Sequence, residues 1–156
     1  MKIETPDELL QAKLLCIEQV RRKIDFAKLH LGISISYPQV LFGLKGTTAG
    51  TADSQNGVIQ LHPTLLIYNP DEFIRQVVPH EVAHLLTRCK WPKAESHGDE
   101  WKSIMRGFGL KPDRCHSMNT NLVPSRLGSS RNPNASPIIK NNKIRNLSGG
   151  RITSFD

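Results

Sequence analysis

The chain has few cysteines and no long apolar run, and each shortage excludes a class of protein. Its 156 residues include three cysteines, widely spaced and without a CxxC pair. An odd number of scattered thiols argues against a disulfide scaffold and is typical of a reducing compartment. No apolar run approaches the roughly 18 residues of a membrane span, and the N-terminal segment lacks the charged-then-apolar order of a signal peptide. The sequence therefore predicts a cytoplasmic protein that has no membrane partner.

Acidic residues are also scarce, because 14 acids stand against 21 Lys and Arg, a net charge of +7. Residues 119–156 contain six basic residues and one acid, a net charge of +5 that leaves +2 for residues 1–118. Asn, Ser, Gly and Pro make up 19 of those 38 C-terminal residues, and such a composition buries little apolar area. We therefore predict a folded domain, residues 1–118, and a basic tail, residues 119–156. The tail either attracts polyanions such as DNA or is a solvated segment without a partner.

The first predicted helix runs from Pro6 to about Leu31. Thr5 is a capping residue, Pro6 suits the first helical position, and Glu8 can close a capping box. Apolar residues then recur at steps of three and four, which predicts one buried stripe. The stripe consists of Leu10, Leu14, Ile17, Val20, Ile24, Ala27 and Leu31.

Two further helices are predicted after residue 69. The second helix runs from Pro70 to about Arg88, with acids in its first turn. The third opens with Ser96 as its cap and Asp99 three residues later. Gly109 is expected to end the third helix.

Residues 39–61 change to a strand pattern. The pattern predicts three strands, Gln39–Leu44, Ala49–Asp53 and Val58–Leu61. Asn56 followed by Gly57 is a strong hairpin signal. We expect a small three-stranded antiparallel meander, and hence an α+β fold. The third strand is expected to offer an edge on which an extended peptide can pair.

The strongest chemical signal is the run His80-Glu81-Val82-Ala83-His84 in the second helix. Residues four apart stand one above the other on a helix, so the two imidazoles can chelate one metal ion. Glu81 projects about 100° further around the helix, from where it can reach a water on the metal without being a ligand. The plain alternative is a pair of histidines that share helical spacing by chance.

A catalytic zinc needs a third protein ligand and an open fourth position. His97 is the best candidate, because a helix-loop-helix return can bring it beside His80 and His84. The alternative is a solvent-exposed residue at the start of a helix. Other candidates for the third ligand are Glu95, Asp99, Glu100 and His116.

The remaining histidines carry weaker signals. His62 ends the third strand, and a structural role is favoured there. His30 lies at the end of the first helix, where a cation suits the helix dipole. His116 can either line the cleft or play a structural role.

Four stretches of the sequence together resemble the SprT-like metallopeptidase family, in the family's order and spacing. They are Thr48–Ala52, Val58–Pro63, Val78–His84 and His97–Trp101. The likeness covers roughly residues 5–118.

The resemblance implies a zincin-like core in which His80, His84 and His97 bind Zn²⁺ and Glu81 is the catalytic acid and base. It also implies Spartan-type activity, the DNA-dependent proteolysis of proteins crosslinked to DNA. One departure concerns the zinc ribbon that many bacterial relatives carry at the C-terminus. Residues 140–150 resemble a ribbon hairpin, but no cysteine follows Cys115, so no second zinc site is predicted.

Two functions from different classes therefore remain open, and a zinc hydrolase that acts on something other than peptides is a further rival. The first is a zinc endopeptidase that acts on protein or peptide substrates. The second is a nucleic-acid-binding or regulatory module in which zinc is only structural. A water in the fourth coordination position favours the enzyme, and a fourth protein ligand favours the module.

Overall fold

The described part of the chain has an α+β fold, as the sequence predicts. The computed structural model describes residues 2–114 and Met118, together with the backbone of Thr153–Ser154. His116 and the predicted tail hairpin lie outside the described residues. The elements in chain order are α1 (Pro6–Phe26), a π-helical segment (Ala27–Leu31), β1 (Gln39–Leu41), β2 (Gly50–Asp53), β3 (Val58–Leu61), α2 (Pro63–Tyr68), α3 (Pro70–Glu72), a π-helical segment (Phe73–Val77), α4 (Val78–Lys90), α5 (Asp99–Gly107) and β4 (Thr153–Ser154).

Helix α1 begins with the predicted capping box. The Glu8 backbone N–H donates to Thr5 Oγ1 at 3.2 Å, and the Thr5 N–H donates to Glu8 Oε2 at 3.0 Å. The helix continues through its π-helical segment to Leu31, where Gly32 adopts a left-handed φ of 65° and ends it. The predicted span is confirmed.

The predicted apolar stripe of α1 is wrong in its first half. Leu10 and Leu14 are 55% and 49% exposed, whereas Ala12 and Cys16 are buried. The buried face steps by four residues from Ala12 to Cys16, Val20 and Ile24. Small side chains let a helix approach its neighbour closely, and α1 packs against α4. Choosing Leu10 and Leu14 over the smaller Ala12 and Cys16 selected the wrong face in this half of the helix.

The sheet is mixed, and the predicted antiparallel meander is wrong. Strands β2 and β3 form the expected antiparallel hairpin, but β1 pairs in parallel with β3, with Gln39 opposite Val58. The strand order is β1-β3-β2-β4. Strand β3 is therefore paired on both sides and offers no free edge for a peptide. Strand patterns identify strands but do not say which of them are neighbours.

The second predicted helix is present from residue 70 to residue 90, but it is built from three segments. A π-helical turn joins α3 to α4 and ends at Val77, two residues before Pro79. Proline has no N–H for the hydrogen bond to the residue four before it, so the hydrogen-bond pattern changes at this point. Helix α4 begins there and packs against α1, α5 and β2. All its residues from Val78 to Thr87 are buried.

Helix α5 begins later than predicted. Gly98, not Ser96, is its capping residue, and no side chain caps it. Residues 95–98 instead form a turn, closed by the Gly98 N–H donating to the Glu95 carbonyl at 3.2 Å. The end is as predicted, because Gly109 adopts a φ of 74°. The N–H groups of Gly109 and Leu110 then reach the carbonyls of Arg106 and Met105, a Schellman ending.

Within the described part of the chain, no helix combines the length and the apolar character that crossing a bilayer requires.

Candidate metal centre

Two buried imidazoles stand one turn apart on α4. His80 is 1% exposed and His84 is 3% exposed. Helical spacing places both rings on one face of α4, where they form a buried polar pair. The Nε2 atoms of His80 and His84 lie 3.1 Å apart.

His97 joins this pair from the turn that precedes α5. Its Nε2 lies 3.0 Å from His80 Nε2 and 3.2 Å from His84 Nε2. The turn over residues 95–98 carries the side chain back towards α4, and it replaces the helical turn that the sequence predicted. Among the described residues, these three histidines form a group of side chains that could hold a metal ion.

The triangle of nitrogens has dimensions that suit a metal. Two nitrogens about 2.0–2.1 Å from a tetrahedral zinc are about 3.3–3.4 Å apart, and the three observed separations of 3.0–3.2 Å are slightly shorter. Three imidazoles supply three donors of a tetrahedral set. Within the described part of the chain, no carboxylate or thiolate joins the group.

The indole of Trp101 lies against all three imidazoles. Its ring centroid is 4.6 Å from that of His80, 4.8 Å from that of His97 and 5.6 Å from that of His84. Trp101 is fully buried, and its Nε1–H donates to the His80 carbonyl oxygen at 3.4 Å. The indole therefore fixes α5 against α4. Sequence reasoning missed this role, although Trp101 follows His97 by four residues.

Burial keeps the imidazole of His84 in the form that binds metals. Burial away from water, with smaller electrostatic contributions from His97 and Arg88, lowers the pKa of His84 from 6.5 to about 3. The ring is therefore neutral at physiological pH. Neutral imidazole is the form that ligates a metal ion.

Glu81 follows His80 on α4 and is completely buried. Both carboxyl oxygens lack a hydrogen-bond partner among the described residues, and burial raises the pKa of the carboxyl group well above its ordinary value. A buried carboxyl group without a partner is costly in a fold. Its carboxylate is not one of the atoms that converge on the metal position, so the geometry separates it from the three imidazoles.

Other predicted candidates lie elsewhere or have a structural role. Glu95, Asp99 and Glu100 are not in the histidine group. His62 accepts the Leu65 N–H at Nδ1, at 3.3 Å, so its Nε2–H donates to the Gly46 carbonyl oxygen at 2.9 Å. It thereby caps α2, a helix that the sequence analysis did not predict.

Comparisons with known proteins converge on one family. The SprT-like family matches residues 17–121. The chain is 36% identical to Protein SprT of Serratia proteamaculans over 126 residues, which cover 80% of this chain and 72% of that protein. It is 38% identical to Protein SprT of Pasteurella multocida over 110 residues, 67% of each chain. It is 39% identical to Protein SprT of Yersinia pestis over 125 residues, 80% of this chain and 72% of that protein. No solved structure matches the chain significantly.

Proposed function

The chain belongs to the SprT-like family, and from this premise we propose that it is a zinc-dependent endopeptidase with Glu81 as its general base. The observation that carries the proposal is the convergence of three Nε2 atoms within 3.2 Å of one another. We propose His80, His84 and His97 as the zinc ligands and a zincin-like core as their scaffold.

The residues of the site fit zinc. Three neutral nitrogen donors with an open fourth position are the ligand set of a catalytic zinc site. Zinc bound there supplies a Lewis acid that polarises a peptide carbonyl and makes a water molecule acidic enough to attack near neutral pH.

Glu81 performs the proton transfers in this proposal. Its carboxylate accepts a proton as the water attacks the peptide carbonyl, and it then delivers a proton to the leaving amine nitrogen. The cost of ionising a buried carboxyl group falls when a cation lies nearby. A carboxyl group with a raised pKa is also well matched to both directions of transfer near neutral pH.

The proposed substrates are proteins associated with DNA. The net charge of +5 in residues 119–156 supports this part of the proposal, because a basic segment is attracted to the phosphate backbone. The three scattered cysteines favour the cytoplasm as the place of action. The rival function is a nucleic-acid-binding module with a structural zinc, and it requires a fourth protein ligand.

One experiment tests the enzyme against the module. We expect the parent protein to contain about one zinc per chain, to digest a DNA-bound protein, and to digest casein faster when DNA is added. Glu81→Gln should keep the zinc and lose about 10²–10⁴-fold in cleavage rate, the usual contribution of a general acid or base. Glu95→Gln is the matched control, because Glu95 is exposed and precedes His97 by two residues in the sequence.

The outcomes separate the two functions. Cleavage by Glu81→Gln at the parent rate would remove Glu81 from the mechanism. Zinc in the parent protein without cleavage of either substrate, with or without DNA, would favour the structural module.

A further inference from the structure

Strand β2 begins with a glycine that lies directly over the side chain of Glu81. A Cβ atom on Gly50 would be 2.8 Å from Glu81 Cγ, 2.9 Å from Oε1 and 3.1 Å from Cδ. Distances under 3.0 Å are closer than van der Waals contact permits, so any larger residue would force a shift. Gly50 is not among the glycines with positive φ. Space, and not backbone conformation, is therefore what requires glycine here.

The backbone around Gly50 is held firmly. Gly50 pairs with Leu61 in the antiparallel ladder of β2 and β3. The His62 N–H donates to the carbonyl of the preceding Ala49 at 2.9 Å. On the other side, Glu81 belongs to the part of α4, from Val78 to Thr87, in which every residue is buried. Neither element can withdraw easily, so a side chain at position 50 would displace the glutamate.

Hydrogen bonds do not hold the carboxyl group, because both of its oxygens lack a partner among the described residues. Contact with the backbone of β2 is then the constraint that the structure offers. We propose that Gly50 is a positioning residue, whose missing side chain sets where the Glu81 carboxylate lies relative to the three imidazoles. This inference rests on the proposed peptidase function.

The test compares Gly50→Ala with Gly43→Ala. Gly43 has a non-positive φ and nothing within 4 Å of its would-be Cβ, so it is a matched control. We expect Gly50→Ala to keep its zinc content, to change KM by less than about twofold and to lower kcat roughly 100-fold, because a displacement of about 1 Å can cost that much. Gly43→Ala should match the parent in all three.

A double-mutant cycle on thermal unfolding tests the contact independently of activity. Glu81→Ala removes Cγ, Cδ and Oε1, the three atoms that a Cβ on residue 50 would meet. We expect Gly50→Ala to lower Tm by several degrees in the parent and by less than about 1 °C in the Glu81→Ala background. If Gly50→Ala does not fold on its own, recovery of a folded, zinc-binding protein in the double variant supports the same conclusion.

Each failure has its own signature. Parent kcat in Gly50→Ala, or an equal loss of Tm in both backgrounds, would overturn the role of Gly50. A parent protein that cleaves nothing would overturn the proposed function, and the unfolding cycle would still decide whether Gly50 positions Glu81.

Discussion

Helix α4 and the turn over residues 95–98 bring imidazoles to the candidate metal centre in opposite ways. His80 and His84 lie on a helix whose residues from Val78 to Thr87 are all buried. His97 is only partly buried and lies in a turn outside any helix or strand. The pair is therefore fixed by the helix, and the third ligand is fixed by loop geometry and by the contact with Trp101.

The helical part of the centre is the more preorganised one. Two ligands one turn apart need no further ordering once α4 has formed. The third must be ordered by packing across two elements. Loops that carry functional groups depend on a rigid scaffold in this way.

The largest difference between the helix and the turn should appear when one histidine is removed from each. His97→Ala leaves the helical pair intact, and we expect it to lower zinc affinity by roughly 100-fold. His84→Ala leaves ligands on two different elements, and we expect it to lower zinc affinity by roughly 1,000-fold. Both figures are scaled from the binding energy of zinc sites with four ligands. Competition with a chromophoric chelator measures both losses. Equal losses would mean that the turn is as preorganised as the helix.

Acid should lower the free energy of unfolding of the metal-free protein through His84, which lies on the helical side of the centre. The folded-state pKa of His84 is lowered from 6.5 to about 3, so its contribution to stability is present above pH 6.5 and is lost as the pH falls towards 3. We expect a loss on the order of 3 kcal/mol by pH 4, at about 1.4 kcal/mol per pKa unit. His84→Gln should lack this part of the pH dependence. Urea unfolding of both proteins between pH 4 and pH 7 measures it, and parallel curves would contradict the prediction.

The smallest effects should come from the start of α5. Ser96 does not cap the helix, so Ser96→Ala should change the free energy of unfolding by less than about 0.5 kcal/mol. Gly98 is the capping residue, and a Cβ there would lie 3.1 Å from Glu95 Cβ. Gly98→Ala should therefore cost about 1 kcal/mol. Urea unfolding compares the two variants, and a larger loss for Ser96→Ala would restore the predicted cap.

The amino-acid pattern was most informative where the physics is local. The spacing of His80 and His84 places both rings on one face of any helix, and the capping box at Thr5 and Glu8 needs only four residues. The turn signal at Asn56 and Gly57 correctly joins β2 to β3. Each of these features depends on neighbours in the sequence.

Long-range packing decided the features that sequence reasoning missed. The parallel pairing of β1 with β3 and the buried face through Ala12 and Cys16 depend on what each element meets in space. The contact between Gly50 and Glu81 joins residues on different elements, and no local sequence pattern predicts it. The expected helix-loop-helix return favoured His97 as the third ligand, and the family resemblance implied the same residue.

The close spacing of the metal ligands along the chain has a consequence for the order of folding. His80, His84, His97 and Trp101 all lie within residues 80–101, so bringing them together closes only a short loop at low entropic cost. Gly50, whose backbone lies over Glu81, belongs to β2, and a longer stretch of chain separates β2 from α4. Because each doubling of loop length costs only about 0.6 kcal/mol, we expect loop closure to favour the meeting of the three imidazoles only slightly over the docking of β2 on Glu81.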